Sequence, residues 1–433
     1  MKPAASSTAR RARLWIVSEL YYPEQTSTGY FVTRIAEGLA SDMPIEVVSA
    51  QPTYSEHGMR APRRETRHGV LIHRVRSTHF GKDRLVLRAL NIATITISVG
   101  WFALTRFRWG DRLMVVTNPP TLPPVLGLIA RMKGMRGFLL VHDVYPEVLV
   151  AGGLLQPHSA LYRLLRPFFA ATFRLFDRVL VLGRDMATLV ARKIGEGGES
   201  RLSIIPNWGD PDEISPLARD GNAFLLAHRI DEPCVIQFSG NIGRTHDVET
   251  VLETAARLGT RADIRFVFVG YGGKAGAVQD RIDREGLKQV MLAPRQPREM
   301  LAAMLSSATA TIISFVDGML GLSVPSRMYN VMAAGVPIIA LADPVSELSR
   351  TVTEEDAGWT LPIGAVDALS DLIAYLATPE GMAEAARRGA NGRAAVLRRY
   401  TFEHVLAQYR ELIEEQAGEG PAVQRVADQA RTR

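Results

Sequence analysis

Two short segments bring glycine, arginine and a hydroxyl together where a backbone can receive an anion. The first is SGNIGRTHD, residues 239–247, which follows an apolar β-branched run and precedes the helical pattern DVETVLETAARL. A glycine-rich turn between a strand and a helix aims N–H groups and the helix dipole at a phosphate, and Arg244 adds a bidentate partner. The same glycines also suit a plain tight turn. The second segment is GLSVPSRMYNVMAAGVPIIA, residues 321–340. Pro325 and Ser326 open a helix with Arg327 near its positive end and Asn330 on a neighbouring turn; an arginine there opposes the helix dipole, and an anionic ligand offsets the cost. A third cluster, VGYGGKAG at 269–276, has neither the dinucleotide-fingerprint nor the P-loop spacing and reads as a turn. These residue types suit one task, the holding of a diphosphate.

The elements that must carry these segments are legible as apolar runs. LWIVS (14–18), IEVVSA (45–50), GVLIHRV (69–75), RLMVVT (112–117), GFLLVH (137–142) and RVLVLG (178–183) recur with helical stretches between them, for example 29–41, 123–132, 159–176 and 184–194. Continuous rather than alternating hydrophobicity is what a parallel strand covered on both faces requires. After WGDPDEISPLARDGN, which has the composition of a linker, a second series starts at 233–240 and continues through 264–270, 290–293, 310–315 and 336–341, with helices from Pro379 onward. The expected fold class is α/β, with two Rossmann-like, doubly wound domains. A dehydrogenase would place its glycine fingerprint after the first strand, where this chain has the glycine-poor SELYYPEQTSTG.

Composition narrows the partners. A chain of 433 residues, 47% hydrophobic and 22% charged, is too long for one core and too apolar for extended disorder. Its single cysteine, Cys234, cannot form an internal disulfide. The basic N-terminal stretch leads into an apolar run too short for a secretion signal, so a cytoplasmic protein is expected. Residues 1–215 hold 28 Lys and Arg against 18 Asp and Glu, a net +10, while the remainder carries −4. Anionic partners for the first half follow. Nucleic acid is not among them, because zinc-finger spacing, a helix-turn-helix signal and an aromatic single-strand platform are all missing from the sequence.

Residues 89–105, ALNIATITISVGWFALT, carry no charge and lie between arginines. As a helix they present a narrow polar stripe of Asn91, Thr94, Ser98 and Thr105 and a wide apolar face with Trp101 and Phe102 on its rim. That pattern suits a helix lying in an anionic membrane surface, with Arg84, Arg88, Arg106, Arg108 and Arg112 on headgroups. A buried crossover helix, a strand suggested by TITISV, and a single membrane span are the alternatives.

Taken together, PSRMYNVMAAGVPIIA, SGNIGRTHD and SELYYPEQTSTGYFVTRIAEGLA resemble the GT-B glycosyltransferases of the large retaining group called family 4, in the bacterial O-antigen and exopolysaccharide branch that includes the fucosamine-transferase type. IPNWGD (205–210) is similar to that family's interdomain turn, HDVYPE (142–147) to its acidic motif on the acceptor side, and RRYTFEHVLAQYREL to its closing helix. The resemblance implies two domains facing across a cleft: an acceptor domain over 1–215 with a membrane-associating segment at 85–108, and a nucleotide-sugar domain over 222–395. A helix at 396–417 returns to the first domain, and a frayed tail occupies 418–433. It further implies a hexosyl transfer with retention, without metal or cofactor, from a UDP-sugar to a polyprenyl-diphosphate-linked saccharide at the inner membrane face. Gly240, Asn241, Gly243, Arg244, Asn207, Ser326, Arg327 and Asn330 would hold the donor, with Asn330 reaching the ribose. His142, Asp143 and Glu147 would form the catalytic, acceptor-facing set. Where the family often has two glutamates eight positions apart, this chain has Leu322 and Asn330. A nucleotide-sugar epimerase of the same fold and a non-catalytic partner subunit of a polysaccharide assembly complex are the other readings.

Overall fold

The computed structural model describes residues 12–52, 60–78, 80 and 85–415; the tail expected to fray, 418–433, lies outside them. The first sheet contains β1 (Leu14–Val17), β2 (Ile45–Ser49), β3 (Arg64–Arg67), β4 (Val70–Arg74), β5 (Arg112–Val116), β6 (Arg136–Val141), β7 (Arg178–Val181) and β8 (Leu202–Ile204). Its order is β3-β4-β2-β1-β5-β6-β7-β8, parallel throughout except for the β3–β4 hairpin. Helices α1 (Ser27–Leu39), α2 (Leu85–Arg106), α3 (Leu122–Met132), α4 (Glu147–Ala151), α5 (Ala160–Phe173) and α6 (Arg184–Ile194) connect the strands. Strands β1, β5, β6 and β7 are buried almost end to end, as their unbroken apolar runs demand. The charged RETR of β3 alternates between exposed and half-buried, so no apolar run marks it in the sequence.

Beyond α7 (Ala223–His228) the second sheet comprises β9 (Cys234–Asn241), β10 (Ile264–Tyr271), β11 (Val290–Ala293), β12 (Ala310–Ser314), β13 (Ile338–Leu341) and β14 (Gly358–Leu361). It is all-parallel in the order β11-β10-β9-β12-β13-β14. Its helices are α8 (Glu249–Leu258), α9 (Ala275–Glu285), α10 (Leu301–Ser306), α11 (Arg327–Ala333), α12 (Glu347–Glu354), α13 (Val366–Leu376) and α14 (Pro379–Arg399). Thr378 caps α14 and Pro379 takes its first position, where a missing N–H costs nothing. The last described helix, α15 (Phe402–Glu415), leaves this unit and lies against α1. Glycine at position 38 eases that approach, since a Cβ there would fall 2.6 Å from the Leu406 side chain and push it aside. Trp208, in the connection between the sheets, is buried edge-on to Phe31 at 4.5 Å and 5.1 Å from Phe402.

Helix α2 revises the reading of residues 89–105. It is a helix and not a strand, and it crosses over from β4 to β5 with one face in the core. Ile95, Val99 and Ala103 are buried at fourfold spacing. Phe102 also turns inward, 5.8 Å from Trp15 and 5.1 Å from His73, and so is not on an exposed rim. The outward apolar row is Val86, Leu90, Ile97, Trp101 and Leu104. Asn91 and Thr94 are not a solvent stripe, because both bond to Thr78 and Asn91 also bonds to Phe80. Arg112 starts β5, half-buried near Met43, away from that row. Arg84 lies outside the described residues.

Candidate active site

A cleft of about 1790 Å³ runs between the carboxyl ends of the two sheets, where open α/β sheets bind ligands. On one side β9 and β10 extend two residues into the cleft as a paired ribbon, with Gly240 opposite Gly270 and Asn241 opposite Tyr271. Position 270 admits only glycine: its φ is +143° and a Cβ would sit 1.9 Å from the Gly240 carbonyl oxygen. The glycine cluster at 269–276 is thus partly strand and not only a turn. Arg327, the first residue of α11, lies against this ribbon. Its Nη1 donates to the Ser239 carbonyl at 2.9 Å and its guanidinium stacks over Phe238 at 4.8 Å. Nε and Nη2 are buried with no partner among the described residues. Burial pushes its pKa down to about 10, so the group remains a cation at neutral pH. Beside it, burial and then the charges of Arg327 and Lys274 hold the His246 imidazole well below its ordinary value.

Arg244 is exposed into the cleft, and its guanidinium has no hydrogen-bond partner among the described residues. Helix α8 begins beyond the glycine turn. It starts at Glu249, and the Asp247 carboxylate already accepts the Thr250 N–H at 3.1 Å. Gly243 is buried with the Asn241 side chain 2.7 Å from where its Cβ would be, and it does not line the cleft. Asn330 is likewise outside the lining, whereas Asn207, Ser326, Gly240 and Asn241 belong to it.

The facing wall is the end of β6. The amides of His142 and Asp143 both donate to Thr117 Oγ1, at 3.1 and 3.3 Å. His142 Nδ1 lies 3.4 Å from Thr28 Oγ1, its Nε2 is buried without a partner among the described residues, and burial depresses its pKa to about 4. Burial raises the pKa of Asp143, partly opposed by a hydrogen bond from Ser323. The result is a neutral imidazole next to a carboxyl group more basic than in water, which suits hydroxyl orientation and proton acceptance. The two walls touch here: the Val144 N–H donates to the Leu322 carbonyl at 2.9 Å, and Ser27 Oγ meets Ser326 Oγ at 2.7 Å. Arg184 adds a bridge to Glu347 and Glu354. Glu147 is elsewhere. Its carboxylate pairs with Lys193 Nζ at 2.6 Å, tying α4 to α6, and does not line the cleft.

Comparison with known proteins now identifies the family. Residues 227–394 match the family described as "Glycosyl transferases group 1". The probable glycosyltransferase WbjE of Pseudomonas aeruginosa is 30% identical over 373 residues, covering 84% of this chain and 88% of that protein. The chain belongs to the group 1 glycosyltransferases. The putative colanic acid biosynthesis glycosyl transferase WcaI of Escherichia coli (strain K12) is 25% identical over 342 residues, 76% of this chain and 83% of WcaI. Among solved structures, Anabaena HepE in complex with UDP and glucose superposes with a TM-score of 0.70 at 12% identity, over 94% of this chain and all of that one. The fold is GT-B.

In this group 1 glycosyltransferase the structure brings Gly240, Asn241, Arg244, Asn207, Ser326, Arg327, His142 and Asp143 to one cleft and leaves out Gly243, Asn330 and Glu147. Thr28, Thr117, His246 and Ser323 were not singled out from the sequence. His246 stands inside SGNIGRTHD and Ser323 inside GLSVPS, so local signals existed; Thr117 has none, since only the β5–β6 pairing brings it to His142. The two departures from the family pattern also differ. Leu322 is buried and contributes its carbonyl to Val144, while Asn330 lies half-buried along α11.

Proposed function

We propose that this enzyme is a retaining, metal-independent hexosyltransferase of the family 4 type. It moves a sugar from a UDP-sugar to a polyprenyl-diphosphate-linked saccharide in bacterial O-antigen or exopolysaccharide synthesis, at the cytoplasmic face of an anionic membrane. The unit formed by residues 1–215 takes the acceptor and that formed by 222–395 takes the donor. The observation that carries the reading is Arg327: a cation with two buried nitrogens that have no partner among the described residues, in the same cleft as His142 and Asp143. Charge develops on the departing diphosphate, and a fixed, desolvated cation stabilises it without reorganisation. Arg244 supplies a second cation, Asp143 orients the acceptor hydroxyl, and the departing phosphate oxygen receives its proton. The UDP in HepE supports the donor class, and the similarity to WcaI, a putative colanic acid biosynthesis glycosyl transferase, supports the polymer. The exposed row on α2 supports the membrane face.

The test is a thermal-shift and diphosphate-release screen against UDP-, GDP-, dTDP- and ADP-sugars, followed by NMR of the product's anomeric configuration. Stabilisation by UDP-sugars with slow release of UDP is the expected result. A response to another nucleotide alone removes the UDP assignment, silence towards all four removes the donor site, and an inverted product removes retention.

A further inference from the structure

The cleft is far larger than a sugar nucleotide requires, and its outer half is a distinct environment. Seven arginines but only two carboxylates, Glu19 and Asp143, line the whole cleft among the described residues. Arg244 and Arg327 serve the inner end, and Arg74 is tied up with Glu65 and the Tyr22 and Pro62 carbonyls. The other four, Arg60, Arg63, Arg76 and Arg88, are exposed, and none has an ion-pair or side-chain hydrogen-bond partner among the described residues.

Their backbones are held in place. The Arg74 amide donates to the Arg63 carbonyl at 2.8 Å, which sets Arg63 and Arg76 at the same end of the β3–β4 hairpin. Gln51 exchanges two hydrogen bonds with Ala61, next to Arg60. Thr78 and Phe80, just beyond Arg76, are clamped to Asn91 on α2, one turn after Arg88. Four guanidinium groups thus sit on three anchored segments around one opening. Apolar groups flank them within the same lining: Ile92 on α2, Leu154 after α4, and Leu161 on α5. The outward rows of these helices continue that apolar character away from the cleft, through Leu90, Ile97 and Trp101 on α2 and Leu164 and Phe168 on α5, with α3 packed against both.

We propose that the outer half of the cleft is the binding site for a lipid diphosphate. Arg60, Arg63, Arg76 and Arg88 receive the diphosphate, the lipid chain leaves over Ile92 and Leu161 onto the exposed α2 and α5 rows, and the attached sugar points inward to His142 and Asp143. This rests on the lipid-linked acceptor reading above and deepens it by naming the residues. Guanidinium forks match phosphate oxygens bidentately, and an apolar exit beside them is what separates a lipid diphosphate from a soluble one.

The test measures binding of phytanyl diphosphate in neutral detergent micelles to the full chain and to an Arg63→Gln/Arg76→Gln variant, with inorganic pyrophosphate and neutral phytanol as comparison ligands. Both substituted residues are exposed, so an unchanged melting temperature is expected and certifies folding; Arg88→Gln is the second variant should the double one melt early. Each lost charge-assisted contact weakens binding by roughly tenfold, so the double variant should lose about 10²-fold. Inorganic pyrophosphate should bind at least ~10-fold more weakly than phytanyl diphosphate because it lacks the buried chain. Equal affinity of both proteins for phytanyl diphosphate overturns the arginine site. Equal affinity for phytanyl diphosphate and pyrophosphate overturns the lipid assignment, as does phytanol binding as tightly as its diphosphate. The UDP-induced thermal shift of the wild-type chain is read in parallel: its absence sinks the donor reading and leaves the lipid-diphosphate result to stand or fall by itself.

Discussion

The two walls of the cleft use arginine in opposite ways. On the C-terminal wall the Arg327 guanidinium is buried, stacked on Phe238 and fixed to the end of β9, where Gly240 leaves room for it. On the N-terminal wall the arginines sit on exposed loops and a helix, while His142 and Asp143, at the end of β6, are both driven toward their neutral forms. A cation meant to stabilise charge in a transition state gains from being fixed and dry. Cations that attract and position an anionic group over a longer path work from solvent and weaken with salt.

The comparison is broken most directly at Arg327. Arg327→Leu should lower kcat by about 10³-fold, and Arg244→Ala by about 10²-fold, the range found when one charge-stabilising donor is removed. Donor turnover and melting temperature measured together check this. A melting temperature that stays constant for Arg244→Ala with unchanged kinetics would remove that residue from the site.

The neutral pair on the other wall makes a prediction about pH. His142 stays unprotonated in the folded protein down to about pH 4, whereas in the unfolded chain it takes a proton near ~6.5. The unfolded state therefore binds more protons between those values, and stability falls as pH drops through that window, by about 3 kcal/mol for this one group. His246 acts in the same direction. Asp143, with a raised value, acts oppositely, losing stability as pH climbs through the ordinary carboxylate range. Urea midpoints at several pH values should show a flatter acid limb for His142→Gln. An unaltered limb would mean that His142 is not held neutral.

Glu147 sharpens the contrast from the structural side. Glu147→Gln leaves Lys193 largely buried without its partner and should cost about 1–3 kcal/mol of stability while changing kcat by less than about threefold. A large loss of kcat at unchanged stability would return Glu147 to the reacting centre. The smallest effect belongs to the surface row. Trp101→Ser should reduce flotation with anionic vesicles by several-fold without loss of fold, because Trp101 is 69% exposed. Phe102→Ser should instead lower the melting temperature, since it opens the packing around Trp15. Wild-type flotation by the Trp101 variant would dismiss the row as a membrane face.

Much of the fold was legible because buried parallel strands need unbroken apolar runs, and those runs mark nearly every strand of both sheets. The strands missed were β3, whose RETR pattern is polar, β8, three half-buried residues that run on into the linker, and β14, whose four residues GWTL are too short to stand out. Helix α6 matches its expected span because its 3.6-residue apolar period ends at Gly195, whose φ of +88° stops the helix. Gly240 and Arg327 stood out in the sequence because glycine before a close approach and a cation at a helix start are both locally unfavourable without a reason, whereas the 269–276 glycines read only as a turn. The placement of Glu147 was not legible. Its position in HDVYPE says nothing of Lys193, which lies 46 residues away and meets it only through the packing of α4 on α6.

The amino-acid order by itself determined two Rossmann-like halves, the linker between them and the two glycine- and arginine-bearing segments that reach the cleft, because hydrophobic period, glycine and helix-start signals act over a few residues. Only the tertiary structure decided that α2 turns Phe102 inward and Trp101 outward, that Thr117 supports His142, and that four arginines from separate segments share one opening. Those outcomes depend on contacts between residues distant in the chain, and a side chain's neighbours across a sheet or cleft leave no mark on its neighbours in sequence.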